Sequence, residues 1–305
     1  MKKNLKMSAA ILAAVMVMGS LTACGGSSSD PTTAAAKDTT AAAADSGSTA
    51  AADSGSATGD VTADVQKIID AGVLKVGVKT DVPCFSLQNT ATGEYEGLED
   101  DLAYNIAGKI FGCTPDEAQE KKLVEFQGVT AKTRGPLVEN GELDMVIATF
   151  TITEERKETY NFSTPYFTDA VGLLVLKDSG INSIEDLDGK VIGVAQGSTS
   201  QKGFEAYVAE KGINVKPTFE EFDGYPALAA ALSAKNIDVF SVDRAILAGY
   251  RDDTNKLLDD RYAEQEYGVC TKKENTGLAE LVDGVVTDLK DSGKLAEMIK
   301  DWGIE

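Results

Sequence analysis

Four short stretches hold the residue types that could do chemistry. They are Lys79-Thr80-Asp81, Thr149-Phe150-Thr151 with Arg156 close behind, Ala195-Gln196-Gly197-Ser198-Thr199-Ser200, and Asp243-Arg244. Between them they offer cations, hydroxyls, a glycine turn and a carboxylate. That set suits a small zwitterion, because a guanidinium fork meets a carboxylate with two charged hydrogen bonds and a carboxylate answers an ammonium. The 305 residues include no histidine. Ser-His-Asp and Cys-His catalysis are therefore excluded, as are His-ligated zinc and haem. No Cys-x-x-Cys occurs, and no metal or cofactor is expected. With 49 acids against 29 bases the formal charge is −20, which opposes binding to nucleic acid or to an anionic lipid surface.

Each stretch follows a strand-like run, and in open α/β sheets ligands sit beyond the carboxyl ends of strands. Leu74, Val76 and Val78 alternate with Lys75, Gly77 and Lys79. Buried-strand candidates are 143–148, 171–176, 191–194 and 237–242. Helical spacing is clearest at Leu102, Ile106 and Ile110, behind the acids Glu99-Asp100-Asp101. A helix over 62–71 should stop at Gly72, and Thr114-Pro115-Asp116-Glu117 carries a helix-start signal. Pro226 opens a helix running to Lys235, and the tail from Leu278 to Trp302 reads as two helices broken near Ser292-Gly293. The alternation predicts an α/β body with mainly parallel sheets.

The N-terminal region has a different character. Lys2, Lys3 and Lys6 precede an apolar run from Met7 to Met18, shorter than the ~20 residues of a membrane span. Residues 1–23 have the pattern of a signal peptide. Leu21-Thr22-Ala23-Cys24 resembles the lipobox of bacterial lipoproteins, which would make Cys24 the lipidated first residue of an exported protein. Residues 24–60 then form a tether, poor in large apolar side chains, with a root-mean-square span of roughly 30–36 Å.

From residue 61 onward the chain resembles bacterial solute-binding protein family 3, the amino-acid receptors of ABC importers. The resemblance is carried by VKTDVP (78–83), ATFTITEERK (148–157), NFSTPYF (161–167), DLDGKVIGVAQGSTS (186–200), NIDVFSVDRA (236–245) and YGVCTKKEN (267–275). It implies a two-lobed, type II periplasmic-binding-protein-like α/β fold. Residues 61–168 and 267–305 would build lobe one and residues 169–266 lobe two, with crossovers near 167–171 and 264–268. It also implies a monomer, without catalytic activity, that delivers its ligand to permease subunits from the outer face of the cytoplasmic membrane or from a periplasm.

Site roles follow from that resemblance position by position. Arg156 would grip the ligand α-carboxylate with the Thr151 hydroxyl, while the Thr149 carbonyl and Asp243 would face the α-ammonium. Ser198 and Thr199 would add N–H groups and hydroxyls from lobe two, and Phe85 would either wall the ligand or belong to the core. Arg134, in AKTRGPL (131–137), and Lys79 resemble the cations that meet a side-chain carboxylate in aspartate/glutamate-binding members. Tyr225 would assist them. Counting Arg156, Arg134 and Lys79 against Asp243 predicts L-glutamate or L-aspartate as ligand. Glutamine or another polar amino acid is the alternative, and a cyclohexadienyl-dehydratase-like enzyme on the same fold is a further one. Binding should be flat between pH 6 and 8, since none of these groups ordinarily titrates there. Cys84, Cys113 and Cys270 are odd in number, so at most one disulfide can join two of them, and free buried thiols are the plainer reading.

Overall fold

The computed structural model describes residues 61–304. The segments expected to be a signal peptide (1–23) and a tether headed by a lipidated Cys24 (24–60) lie outside the described residues. In chain order the first half forms α1 (Ala63–Ala71), β1 (Leu74–Val78), β2 (Asp81–Val82), β3 (Ser86–Gln88), β4 (Tyr95–Glu96), α2 (Leu98–Phe111) and α3 (Pro115–Glu120). There follow β5 (Val124–Gly128), α4 (Arg134–Glu139), β6 (Met145–Val146), α5 (Glu154–Thr159), β7 (Tyr160–Phe162) and β8 (Phe167–Leu176). The second half forms β9 (Val191–Ala195), α6 (Ser200–Lys211), β10 (Thr218–Phe222), α7 (Tyr225–Ser233), β11 (Val239–Asp243) and α8 (Arg244–Ala248). Last come β12 (Asn255–Leu257), β13 (Tyr262–Tyr267), β14 (Cys270–Lys272), α9 (Thr276–Asp291) and α10 (Lys294–Asp301).

The local signals act through ordinary chemistry. Gly72 ends α1 in the left-handed region (φ 71°), with its N–H on the Ile68 and Ile69 carbonyls. Thr114 and Glu117 form a reciprocal capping box at the start of α3. In α2, Leu98, Leu102, Ile106 and Ile110 are buried at a four-residue spacing. Gly97 precedes it because a Cβ there would lie 2.0 Å from the Phe85 carbonyl oxygen. That close approach seats the start of α2 on the turn after β2.

Two sheets organise the lobes. The first has the order β5-β1-β6-β14-β7 and the second β10-β9-β11-β8-β12, with β13 also on β8; β2-β3-β4 form a small antiparallel sheet. The expectation of mainly parallel sheets is corrected. β1 is parallel to β5 and β6, and β9 to β10 and β11, yet β14 is antiparallel to both its neighbours and β8 to its three. Parallel pairing needs a crossover connection, whereas a chain that passes out and returns directly pairs in opposite directions. β8 and β13 are such a pair, joined from Phe167↔Tyr267 to Val171↔Tyr262. The strand expected over 143–148 is reduced to the two residues of β6.

The largest apolar cluster runs from Leu102, Ile106 and Val76 of the first lobe through Phe85, Tyr166 and Tyr267 to Tyr225, Leu228 and Phe240 of the second. Smaller clusters lie around Val171, Ile192 and Phe204, and around Val138, Val146 and Phe150. The three described cysteines are free. Cys270 is buried, but Cys84 is exposed, which corrects the reading of all three as buried. Cys84 occupies a turn residue with φ 70°, so its backbone is held outside regular structure.

Candidate functional site

The four chemistry-bearing stretches converge where the lobes meet. Lobe contact is direct at several points. Arg156 donates from Nη1 to the Thr151 carbonyl (2.7 Å) and from Nη2 to the Gly197 carbonyl on the facing lobe (3.0 Å). The Tyr250 hydroxyl donates to the Asp81 carbonyl (2.8 Å), and Lys202 meets Glu155 at 2.8 Å on the exposed rim. Gly197 has φ 75°, and a Cβ there would lie 2.8 Å from the Ala131 carbonyl oxygen and 3.0 Å from Lys132 Cα. Both the backbone angle and the space favour glycine at this crossing.

Aromatic rings carry the cations. Arg134 and Arg156 lie over the same Phe150 ring, at 4.1 and 4.6 Å from its centroid. Lys79, only 2% exposed, sits 4.2 Å over the Tyr225 ring. Arg134 is 3% exposed and sends Nη1 to the Ala148 and Thr149 carbonyls at 2.6 and 2.9 Å. Its Nε, like Gln196 Oε1 in the β9–α6 turn, is buried without a hydrogen-bond partner among the described residues. Thr149 has φ 46°, and its N–H is held by Glu99 Oε1 at 2.6 Å.

The anionic groups are held by hydroxyls and backbone dipoles. Asp243 Oδ2 accepts from Tyr267, whose ring packs edge-on against Phe85 with centroids 6.0 Å apart. Glu99 Oε1 accepts from Tyr166 as well as from Thr149. Gln265 Oε1 accepts from Thr151 and from Thr199, each at 2.7 Å, so one side chain of β13 joins the two loops. Among the described residues none of Lys79, Arg134, Arg156, Asp243 or Glu99 is in an ion pair, although nearby charges of this group act on the titration of Lys79, Glu99, Arg156 and Asp243. Arg134, Arg156, Asp243 and Glu99 are thus held by neutral dipoles, and Lys79 by an aromatic face, without an opposite charge in contact.

Burial moves two groups into the neutral pH range, against the expectation of flat titration. It pushes Asp243 up to about 7, with the Tyr267 hydroxyl opposing the shift. It pulls Lys79 down to about 8, chiefly against the attraction of Asp81. Arg156 falls to about 9 through burial and the nearness of Arg134, and stays charged at neutral pH. Asp100, beside Glu99 on α2, rises to about 9 through burial despite its bond from Ser86, and so is protonated at neutral pH.

Of the residues singled out in the sequence, Lys79, Arg134, Thr149, Thr151, Thr199, Tyr225, Arg156 and Asp243 belong to this contact network. Phe85 is 1% exposed and packs on Phe167 and Tyr267. Ser198 is half-buried in the turn and spends its N–H on the Ala195 carbonyl. Sequence reasoning missed Glu99, Phe150, Tyr166, Gln265 and Tyr267. Phe150 stood between two named threonines, and Tyr267 opened a quoted motif, but Glu99 read as an ordinary first-turn acid. Among the described residues no group of three or more His, Cys, Asp or Glu could hold a metal ion.

Comparison with known proteins fits this architecture. The model for bacterial extracellular solute-binding proteins, family 3, matches residues 74–305. The chain is 35% identical over 238 residues to the ABC transporter glutamine-binding protein GlnH of Bacillus subtilis, spanning 77% of this chain and 82% of that one. It is 36% identical over 267 residues to the glutamine-binding protein of Geobacillus stearothermophilus, at 87% and 92% coverage. The glutamate-binding protein GluB of Corynebacterium efficiens is 28% identical over 245 residues, at 76% and 79%. Among solved structures, a mutant of ArgBP from T. maritima superposes with TM-score 0.67 at 27% identity, over 79% of this chain and all of that one. The ancestral amino acid-binding protein AncCDT-1, a precursor of cyclohexadienyl dehydratase, gives 0.66 at 26%, over 79% and 99%. The two-lobed type II architecture and the match over most of the chain agree: this protein belongs to the bacterial extracellular solute-binding proteins of family 3, the amino-acid-binding components of ABC transporters.

Proposed function

We propose that this protein is an exported, lipid-anchored receptor that closes its two lobes on a polar α-amino acid, glutamine first, and passes it unchanged to an ABC permease. One observation carries the reading. Arg156 and Asp243 sit in one buried interlobe network, act on each other electrostatically, and yet are not paired with each other. A zwitterion supplies the two missing partners, its carboxylate for the guanidinium and its ammonium for Asp243. In this reading Thr151, Thr149, Ser198 and Thr199 line the carboxylate and ammonium ends, with Phe85 beside them. Lys79, Arg134 and Tyr225 face the ligand side chain.

Side-chain choice turns on the charge count. The count from sequence set three cations against Asp243 and so favoured glutamate or aspartate. Two more carboxylates, Glu99 and Asp81, act on Lys79. Three cations then face three carboxylates, which favours a ligand without net charge. Arg134 also commits one arm of its fork to backbone carbonyls. The two glutamine-binding relatives, at 35% and 36% identity, support the same choice over the glutamate-binding one at 28%. Glutamate remains the second reading because the Lys79 ammonium has no ion pair among the described residues.

Titration calorimetry with glutamine, glutamate, aspartate and arginine tests the proposal. Glutamine should bind in the micromolar range or tighter, about −8 kcal/mol or better, and glutamate more weakly. Tight glutamate binding without a glutamine response would reverse the assignment. Heatless titrations throughout would remove the receptor reading, and turnover of prephenate or arogenate would put an enzyme in its place.

A further inference from the structure

We propose that Glu99 is a positioning and specificity residue of the cleft: its buried carboxylate fixes Thr149 in place and sets the charge that the ligand side chain meets. The inference rests on the interlobe network being the amino-acid site.

Glu99 is an unusual occupant of a helix start. It stands in the first turn of α2, where an acid ordinarily faces solvent and answers the helix dipole. Here it is 0% exposed. The approach of Gly97 to Phe85 drives the first turn of α2 under the cleft, and the carboxylate goes with it. There Oε1 accepts from the Thr149 N–H at 2.6 Å and from the Tyr166 hydroxyl. Thr149 has φ 46°, a conformation unfavourable for a β-branched residue unless its surroundings impose it. The bond from Glu99 supplies that constraint. The Thr149 carbonyl in turn accepts from Arg134, so the position of the guanidinium depends on the same peptide.

The charge of Glu99 turns on how its two oxygens are held. Glu99 Oε2 is buried and has no hydrogen-bond partner among the described residues. An unbonded buried oxygen costs more ionised than protonated, so the charge depends on the two donors that reach Oε1 and on the cations nearby. Burial opposes ionisation, while Tyr166, Thr149, Lys79 and Arg134 favour it. The carboxylate acts on the very cations proposed to meet the ligand side chain. In a buried site a unit charge about 8–10 Å away shifts an ionic partner by roughly tenfold or more in affinity. A neutral amide feels far less of it.

The test separates charge from position, using the intact protein and calorimetry with glutamine and glutamate. Glu99→Gln keeps an oxygen for Thr149 and Tyr166 but removes the charge. The ratio of glutamate to glutamine affinity should rise about tenfold over the parent. Glu99→Asp keeps the charge but withdraws the oxygen from Thr149, so both affinities should fall together with the ratio preserved within about twofold. Should Glu99→Gln not fold, Tyr166→Phe weakens the ionised form from outside and should move the ratio the same way, by about threefold. A parent that binds neither ligand removes the receptor reading itself. A parent that binds, with an unchanged ratio in the Glu99→Gln or Tyr166→Phe variant, overturns the role of Glu99 alone. So does a Glu99→Asp variant that binds both ligands as tightly as the parent.

Discussion

The pH dependence of ligand binding is the most exposed consequence of the site. The free protein holds Asp243 at about 7, because burial outweighs the bond from Tyr267. An amino-acid ammonium pairs only with the ionised carboxylate. Apparent affinity therefore follows the ionised fraction, about a tenth at pH 6, half at pH 7 and nine-tenths at pH 8. Between pH 6 and 8 that is close to a tenfold rise, about 1.4 kcal/mol. Lys79 sets the other limb. Held at about 8, it loses its charge above that pH, and any bond from its ammonium to the ligand side chain weakens with it. The profile should be bell-shaped with its maximum between pH 7 and 8. Folding has the opposite sign on the acid side. A carboxylate whose folded value lies above its ordinary one stabilises the free protein most at low pH, and that contribution is lost as pH rises through about 7. Calorimetry at pH 6, 7, 8 and 9, in two buffers of different ionisation enthalpy, reads both affinity and proton release, about half a proton per ligand at pH 7. Tyr267→Phe removes the donor that favours the ionised carboxylate and should move the rising limb upward by about one pH unit. Affinity constant within twofold from pH 6 to 8, or rising toward acid, would refute the pairing of Asp243 with the ligand.

Two substitutions probe the rest of the network. Arg156→Lys keeps the charge but cannot reach the Thr151 and Gly197 carbonyls and a carboxylate together, so affinity should drop by about 2–3 kcal/mol; an affinity within threefold of the parent would show that the guanidinium fork is not the grip. Gly197→Ala places a methyl against the Ala131 carbonyl at a φ of 75°, and should open the lobes. Small-angle scattering with and without glutamine should then show a larger radius for the free variant and about tenfold weaker binding, and a variant indistinguishable from the parent would mean that the 131–132 contact does not limit closure.

The local signals in the sequence were sufficient wherever the physics is local. The capping box at Thr114 and Glu117, the stop at Gly72, the four-residue spacing in α2 and the break at Ser292-Gly293 each depend on neighbours within one or two helical turns. Motif order was enough for the family and the two-lobed fold. Loop chemistry after the strands was enough to gather Lys79, Arg156, Asp243 and the threonines as candidates, because ligand-binding loops concentrate at strand ends in α/β sheets, while Arg134 came only from the family resemblance.

Strand direction and the electrical character of the site depended on contacts between distant parts of the chain. β8 runs antiparallel to β13, whose residues follow it by about a hundred positions, and no periodicity encodes that pairing. Thr151 and Thr199 meet on Gln265 across 114 and 66 residues, and Glu99 reaches Thr149 across 50. A residue's type gives its charge in water. Its effective charge in the protein depends on how far it is buried and which dipoles surround it, and only the packed chain fixes those. For that reason an apparently ordinary first-turn acid became a buried partner of the cleft, and Asp243 and Lys79 moved into the neutral range.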